Sequence, residues 1–343
     1  MKFITEEKLK MLNITKAILH IFDMNSEMVI ASGDELDVSA DGVFEYLEKH
    51  IEKSFKDAGA VSAQLEPEGD FMRSLLDYRN GAVSFRDWSE SLSRRIADYY
   101  LLAEEQPSAD LVALDFVRDE ERYVGLMIFN SQTGYTHQIV QGDGFFKNEI
   151  IRHYGIMPGM SQKVSSFILV RVGTWKVRYF EKKRSINGED VMVIPDKIIS
   201  CTESVSPKDA VKKVKAAAEK VAENNGGNSA EIISRAKTFL MDNAEVSDKL
   251  DTEELSRAVF PDSQSMAEEF VREVRSSGMP QAVNMDREYA SRAGRVHKIK
   301  TDTGIEISIP SDFFNDPDYV EFINNPNGTI SISIKNVGSI VNR

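Results

Sequence analysis

ADLVALDFVRDEERYVGLMIFN, residues 109–130, is the stretch whose reading decides the fold. Two apolar runs, Leu111–Val117 and Tyr123–Phe129, flank Arg118-Asp119-Glu120-Glu121-Arg122, a charged stretch that suits a solvated hairpin turn better than the middle of a helix. In the second run Tyr123, Gly125, Met127 and Phe129 face one side of a sheet and Val124, Leu126 and Ile128 the other. Both faces are apolar, the pattern of a strand buried on both sides at the centre of a sheet covered by helices. No catalytic side chain sits on this hairpin, so its role is architectural.

Toward the amino end, Ile14–Phe22 and Met28–Ser32 read as a strand pair around Asp23-Met24-Asn25-Ser26, with His20 a satisfied core or edge histidine. Ser39-Ala40-Asp41 offers an N-cap, after which Val43, Leu47, Ile51 and Phe55 recur at helical spacing, placing His50 on the polar side. A further helix is expected over Ser84–Glu104, with Trp88, Leu92, Ile96 and Tyr99 or Tyr100 on one face. Beyond the hairpin, strands are expected at Tyr135–Val140, Ser166–Val172, Trp175–Phe180 and Val191–Ile194, with the first domain closing near Cys201. The period then turns helical. Helices are expected from Ser206-Pro207-Lys208 to the stop Asn224-Asn225-Gly226-Gly227, then over Ala230–Met241, Thr252–Ala258 and Ser265–Ser276. After Pro280, Ile305, Ile307 and Ile309 alternate with polar residues, as do Ile330, Ile332 and Ile334, and Asn325-Pro326-Asn327-Gly328 turns Tyr319–Asn324 into the last strand.

The expected fold class is therefore α/β (α+β). A mixed, mainly antiparallel sheet covered by helices fills residues 1–204, and a helical domain with a small C-terminal β-sheet fills residues 205–343. The alternating isoleucines of the terminal sheet offer an edge at which two chains can pair as a homodimer.

At 343 residues, 41% apolar and 28% charged, the chain has the composition of a folded protein of two domains. Met1-Lys2-Phe3-Ile4-Thr5-Glu6-Glu7 runs straight into charge, and no apolar run is long enough to span a membrane, so a cytoplasmic protein without a membrane partner is expected. Cys201 is the only cysteine, which excludes an internal disulfide framework and a multi-thiolate metal site within one chain. The net charge is −13, but residues 1–110 carry 22 acidic and only 12 basic side chains. Any nucleic-acid surface should lie beyond Asp110.

Catalytic patterns are scarce. His20, His50, His137, His153 and His297 are scattered, with no pair spaced to put two ligands on one helix face. Gly-x-Ser-x-Gly is absent, and Gly142-Asp143-Gly144 lacks the lysine and helix cap of a phosphate loop. Glu66, Glu68 and Asp70 alternate, as ligands of a divalent cation can, yet the loop lacks the full calcium pattern and reads better as a solvated acidic loop. No cofactor, resident metal or catalytic residue is expected.

The positive signal is RVGTWKVRYFEKKR, residues 171–184, where Arg171, Lys176, Arg178, Lys182, Lys183 and Arg184 face Glu181 alone and are interleaved with Trp175, Tyr179 and Phe180. Such cations neutralise phosphates and release counterions, while aromatic faces pack beside the backbone. Lys208, Lys212, Lys213 and Lys215 form a second cluster, and Arg287, Arg292, Arg295, Lys298 and Lys300 a third around His297. If DNA is bound directly, the first segment is expected to carry most of it, with Lys212, Lys213, Arg292, Arg295 and Lys298 adding contacts.

Taken in order, ITKAILHIFD near the amino end, SADLVALDFVRDEERYVGLMIFN, VNMDREYASRAGRVHKIKTDTGIEISIPSDFF and NPNGTISIS resemble the bacterial nucleoid-associated protein family known as NdpA or YejK. The likeness covers nearly the whole chain and carries no catalytic signature. It implies a cytoplasmic protein of the bacterial nucleoid, DNA-binding and structural, engaged in chromosome organisation. The expected function is non-enzymatic binding of double-stranded DNA with little sequence preference. Two alternatives stay open: an adaptor that docks its acidic N-terminal lobe onto an enzyme of the DNA-handling machinery, and a metal-dependent nuclease.

Overall fold

A computed structural model describes residues 12–105, 107–314, 316–326 and 329–341. Met1–Glu7, read above as the start of a chain without a secretory signal, and Asn327 and Gly328 of the expected turn lie outside the described residues. The chain divides into two compact units, Met1–Glu203 and Ser204–Arg343.

In the first unit the order is β1 (Leu12–Asp23), β2 (Met28–Ile30), α1 (Val43–Phe55), β3 (Val61–Gln64), α2 (Asp70–Arg79), α3 (Phe85–Tyr100), β4 (Ala109–Arg118), β5 (Glu121–Asn130), β6 (Gln132–Gly142), β7 (Phe145–Ile156), β8 (Ser166–Arg171), β9 (Lys176–Phe180), β10 (Arg184–Ile186) and β11 (Glu189–Val191), followed by one π-type turn over Ile194–Ile198. Seven strands form one sheet in the order β2-β1-β4-β5-β8-β9-β3, and every pairing in it is antiparallel.

The deciding hairpin lies inside this sheet. Its strands run to Arg118 and Glu121, which pair directly, so the turn shrinks to Asp119-Glu120, with φ of 50° and 68°. Two consecutive positive φ values match the right-handed twist of the flanking strands. On one face Val112, Leu114, Phe116, Met127 and Phe129 pack with Leu47 and Ile51 of α1. On the other, Leu111, Ala113, Val124, Leu126 and Ile128 share a core with Leu75 of α2 and Trp88, Leu92 and Ile96 of α3. Helices therefore cover both faces, as the two-sided apolar pattern requires. Gly125 permits close approach of β8, since a Cβ there would sit 2.5 Å from the Ile168 carbonyl oxygen.

Some expectations need correction. His50 does not face solvent: it is fully buried, its ring set edge-on to Tyr46 and Phe129. The acidic stretch ends by starting an unanticipated helix, α2, in which Asp70 is paired with Arg73. The strand at Tyr135–Val140 is longer, and it joins the unanticipated β7 in a separate two-stranded ribbon outside the main sheet.

The second unit contains α4 (Pro207–Asn224), α5 (Ser229–Val246), β12 (Lys249–Asp251), α6 (Thr252–Val259), α7 (Gln264–Ser276), β13 (Ala282–Asn284), α8 (Arg287–Gly294), β14 (Val296–Lys300), β15 (Glu306–Pro310), α9 (Ser311–Phe314), β16 (Val320–Asn324) and β17 (Ile330–Ile334). Ser206 caps α4 by accepting from the Asp209 amide, Asp251 caps α6 and Ser263 caps α7. Alanine and valine positions of α4 form a core with α5, α6 and α7 that includes Leu240, Leu255 and Phe270. The terminal strands make two ribbons, β14-β15 and β16-β17, around a small cluster of Ile309, Phe314 and Val320.

Candidate nucleic-acid interface

The first basic segment closes β8 with Arg171, runs through β9 and opens β10 with Arg184. Alternation buries Val177 and Tyr179 on the α2–α3 side and turns Arg178 the other way. The Arg178 guanidinium donates to the Ser54 and Asp57 carbonyls, at 3.1 and 2.5 Å, and to Ser62 Oγ at 3.1 Å. It thus adds a second donor to carbonyls at the end of α1 and in the turn after it, each of which also accepts a backbone amide. Arg171 is held by the Glu121 carboxylate through both arms of its guanidinium.

Arg184 lies with its guanidinium carbon 3.6 Å from the centroid of the Tyr100 ring. The Tyr100 hydroxyl donates to Glu181 Oε1 at 2.9 Å, and the Ile194 amide donates to Glu181 Oε2 at 2.6 Å. Burial pushes the Glu181 carboxyl above its ordinary range, and Arg184, with Nε 3.7 Å from Oε1, is the cation beside it. Arg178 and Arg184 are thus committed to the fold.

Lys176, Lys182 and Lys183 are exposed, Lys183 standing 3.5 Å from Asp190. Lys182, Lys183 and Arg184 line a cavity of about 510 Å³ together with Lys163, while Glu104 and Glu105 oppose them on its rim. Lys163 was not anticipated, because a lone lysine among Ser161, Gln162 and Val164 leaves no local signal. Its Nζ is 3.0 Å from both oxygens of Asp57.

In the second unit, elements that carry the two other clusters pack against each other. α4 and α8 pack together and α5 packs on both. Burial, and after it the Asp209 carboxylate on α4, pushes the Tyr289 hydroxyl of α8 up, while Arg292 pulls it the other way. Burial, and after it the charge of Lys215 on α4, pulls Lys237 of α5 down; burial, then Lys237, then Lys215 pull His297 of β14 down. The Lys237 ammonium, pulled down to about 8, donates to the Val296 carbonyl at 2.9 Å. His297, depressed to about 4, is buried with its ring stacked 4.0 Å from that of Phe314.

Around this point Arg292, Arg295 and Lys298 are exposed, and none of the three is ion-paired among the described residues. Lys212 is exposed one helical turn before Lys215. Lys213 behaves differently, since its Nζ donates to the Ser277 carbonyl at 2.6 Å and fastens α4 to the end of α7. Exposed cations without an ion pair among the described residues thus occur in all three clusters: Lys176 and Lys182 in the first, Lys212 in the second, and Arg292, Arg295 and Lys298 in the third.

The remaining candidates are quickly placed. Among the described residues no group of three or more histidine, cysteine or acidic side chains gathers as a metal site would. Burial pushes the Cys201 thiol up, the opposite of an activated nucleophile. No described helix is long and apolar enough to cross a membrane.

The family model described as nucleoid-associated protein YejK matches residues 18–341. The comparison with curated proteins finds no significant match.

Proposed function

The chain belongs to the family of the nucleoid-associated protein YejK, a family of the bacterial nucleoid, and from that premise we propose that it binds double-stranded DNA directly, without catalysis and with little sequence preference. The observation that carries this reading is that Arg292, Arg295 and Lys298 stand exposed and without an ion pair among the described residues, on and beside an α8 that packs against α4, the helix of Lys212 and Lys215, in a chain whose net charge is −13. An acidic protein approaches a phosphate backbone only where positive charge is locally concentrated. Lys176, Lys182 and Lys183 of the first unit supply further contacts, while Arg171, Arg178, Arg184 and Lys213 hold the fold around them.

The test is a titration of duplex DNA with purified protein over a salt series, wild type against the triple variant Arg292→Ala, Arg295→Ala, Lys298→Ala. Each lost phosphate contact lowers the slope of log affinity against log salt by about 0.9. The triple variant should weaken binding to all sequences alike and flatten the slope by roughly two to three. Unchanged affinity and slope would reject this surface. Plasmid left intact in magnesium separates the reading from a nuclease.

One observation favours a second reading. Asp34, Asp37, Asp41 and Glu45 are all exposed in the approach to α1 and its first turn, beside exposed Phe44. Such a patch suits a basic partner protein of the DNA-handling machinery, through which the association with DNA becomes indirect. Purified protein that shifts no DNA at low salt would favour this adaptor.

A further inference from the structure

We propose that the β6–β7 ribbon is where two copies of this chain associate, face to face. No residue of either strand is buried, and the ribbon forms its own two-stranded sheet. The register pairs Tyr135 with Arg152, His137 with Ile150, Ile139 with Asn148 and Gln141 with Phe146. Directly paired residues share a face, so these alternate pairs and Tyr154 lie on one side.

That side holds Tyr135, Ile139, Phe146, Ile150 and Tyr154, which are 69, 61, 72, 82 and 67% exposed. The opposite side carries Thr136, Gln138 and the ion pair of Lys147 with Glu149, together with Val140, Ile151 and, at the turn, Phe145. The first side is the more apolar of the two, and no described residue of its own unit covers it. An isolated two-stranded hairpin is at best marginally stable in water, and a covering layer supplies what it lacks.

Area and charge point to a second copy as that layer. At about 150–250 Å² for an aromatic side chain and somewhat less for isoleucine, the five residues offer roughly 600 Å² of exposed surface per copy. With Gln141 and Asn148 at their flanks, the face approaches the roughly 800 Å² per partner of a standard interface. Residues 131–160 carry two acidic side chains, Asp143 and Glu149, and two basic ones, Lys147 and Arg152, so the ribbon is neutral in a protein of net charge −13. Two copies can meet there without the repulsion their other surfaces impose, and a two-fold axis makes one apolar face its own complement. DNA fits this face poorly. Its one cation, Arg152, lies 4.6 Å over the ring of Tyr154, and phosphate affinity requires several.

The inference goes beyond the DNA reading and is tested without DNA. Sedimentation velocity of the full chain between about 1 and 100 µM should give a species of twice 38.6 kDa. The variant Phe146→Glu, Ile150→Glu should sediment as a monomer with an unchanged thermal midpoint, and Gln138→Glu on the opposite face should remain dimeric. Ile150 sits at mid-ribbon, where a two-fold axis sets it beside its mate. Ile150→Cys in a Cys201→Ser background should therefore be joined between chains by a short bis-maleimide, a measurement that holds even where the charged variant fails to fold. A wild type that is monomeric throughout, a charged variant that stays dimeric, or an Ile150→Cys chain that does not cross-link would overturn the proposal. A monomeric wild type whose charged variant loses DNA affinity would make the ribbon a DNA-contacting arm instead.

Discussion

The guanidinium of Arg184 lies flat over the ring of Tyr100, 3.6 Å from its centroid, and Tyr100 in turn donates to the buried Glu181. The last cation of the densest basic run is therefore part of the core. A desolvated cation–π contact contributes about 2 kcal/mol, and removing the cation also strands a buried carboxyl. Arg184→Ala should thus lower the unfolding free energy by roughly 2–4 kcal/mol, read from urea denaturation followed by tryptophan fluorescence. Lys182→Ala and Lys183→Ala should stay within about 0.5 kcal/mol of wild type, as ordinary surface changes do.

Met127 is fully buried at the centre of the seven-stranded sheet, facing α1. Met127→Asp places an unpaired carboxylate there and should unfold the first unit, with loss of its near-UV circular dichroism. Met127→Ala leaves a cavity instead and should cost about 2–5 kcal/mol while the unit stays folded.

His50 and His297 are both buried and both pulled down to about 4, burial being the larger cause. Between pH 6.5 and 4 the unfolded chain binds protons that the folded chain refuses, so stability falls as pH falls through that window and is complete above it. Each histidine contributes up to about 3 kcal/mol to this loss. Neither ring nitrogen of His50 has a hydrogen-bond partner among the described residues. His50→Phe should accordingly raise stability at neutral pH by about 1–2 kcal/mol and flatten the acid limb of the stability curve.

Lys237 is pulled down to about 8, chiefly by burial and further by Lys215. Below pH 8 the folded unit carries the full cost of that buried ammonium, and the cost is relieved as pH rises from 8 toward the ordinary lysine range. Phosphates docked on the neighbouring cations would favour its charged form. Calorimetry of DNA binding at pH 8 in buffers of different ionisation enthalpy should therefore show proton uptake, absent in Lys237→Met.

Much of this architecture was legible before any coordinates. The two-sided apolar alternation of residues 109–130 placed the central hairpin, and Ser206, Asn224 and Gly226 bracketed α4 almost to the residue. His50 was misplaced because Glu48 and Lys49 beside it are polar, whereas its own position follows Tyr46 by one helical turn, onto the buried face. β7 went unseen because FFKNEIIRHYGI lacks the alternation that a covered strand shows, and it is uncovered. Availability of the cations could not be read at all. Arg178 is quenched by residues more than 115 positions away, Arg184 by Tyr100, and local pattern contains neither.

The far edge of the main sheet sets the tempo of its assembly. Val61 of β3 pairs with Tyr179, and Leu65 bridges to Cys201, so the sheet cannot close until that later chain exists. At about 5–20 residues per second on the ribosome, β3 waits roughly 6–24 s for its mate. The surplus of carboxylates in residues 1–110 should then make waiting nascent chains repel one another, which opposes pairing through their open strand edges. Nascent chains arrested before Cys201 emerges should be cleaved readily by added protease, and those arrested some tens of residues later should resist it; equal sensitivity at both lengths would refute this timing.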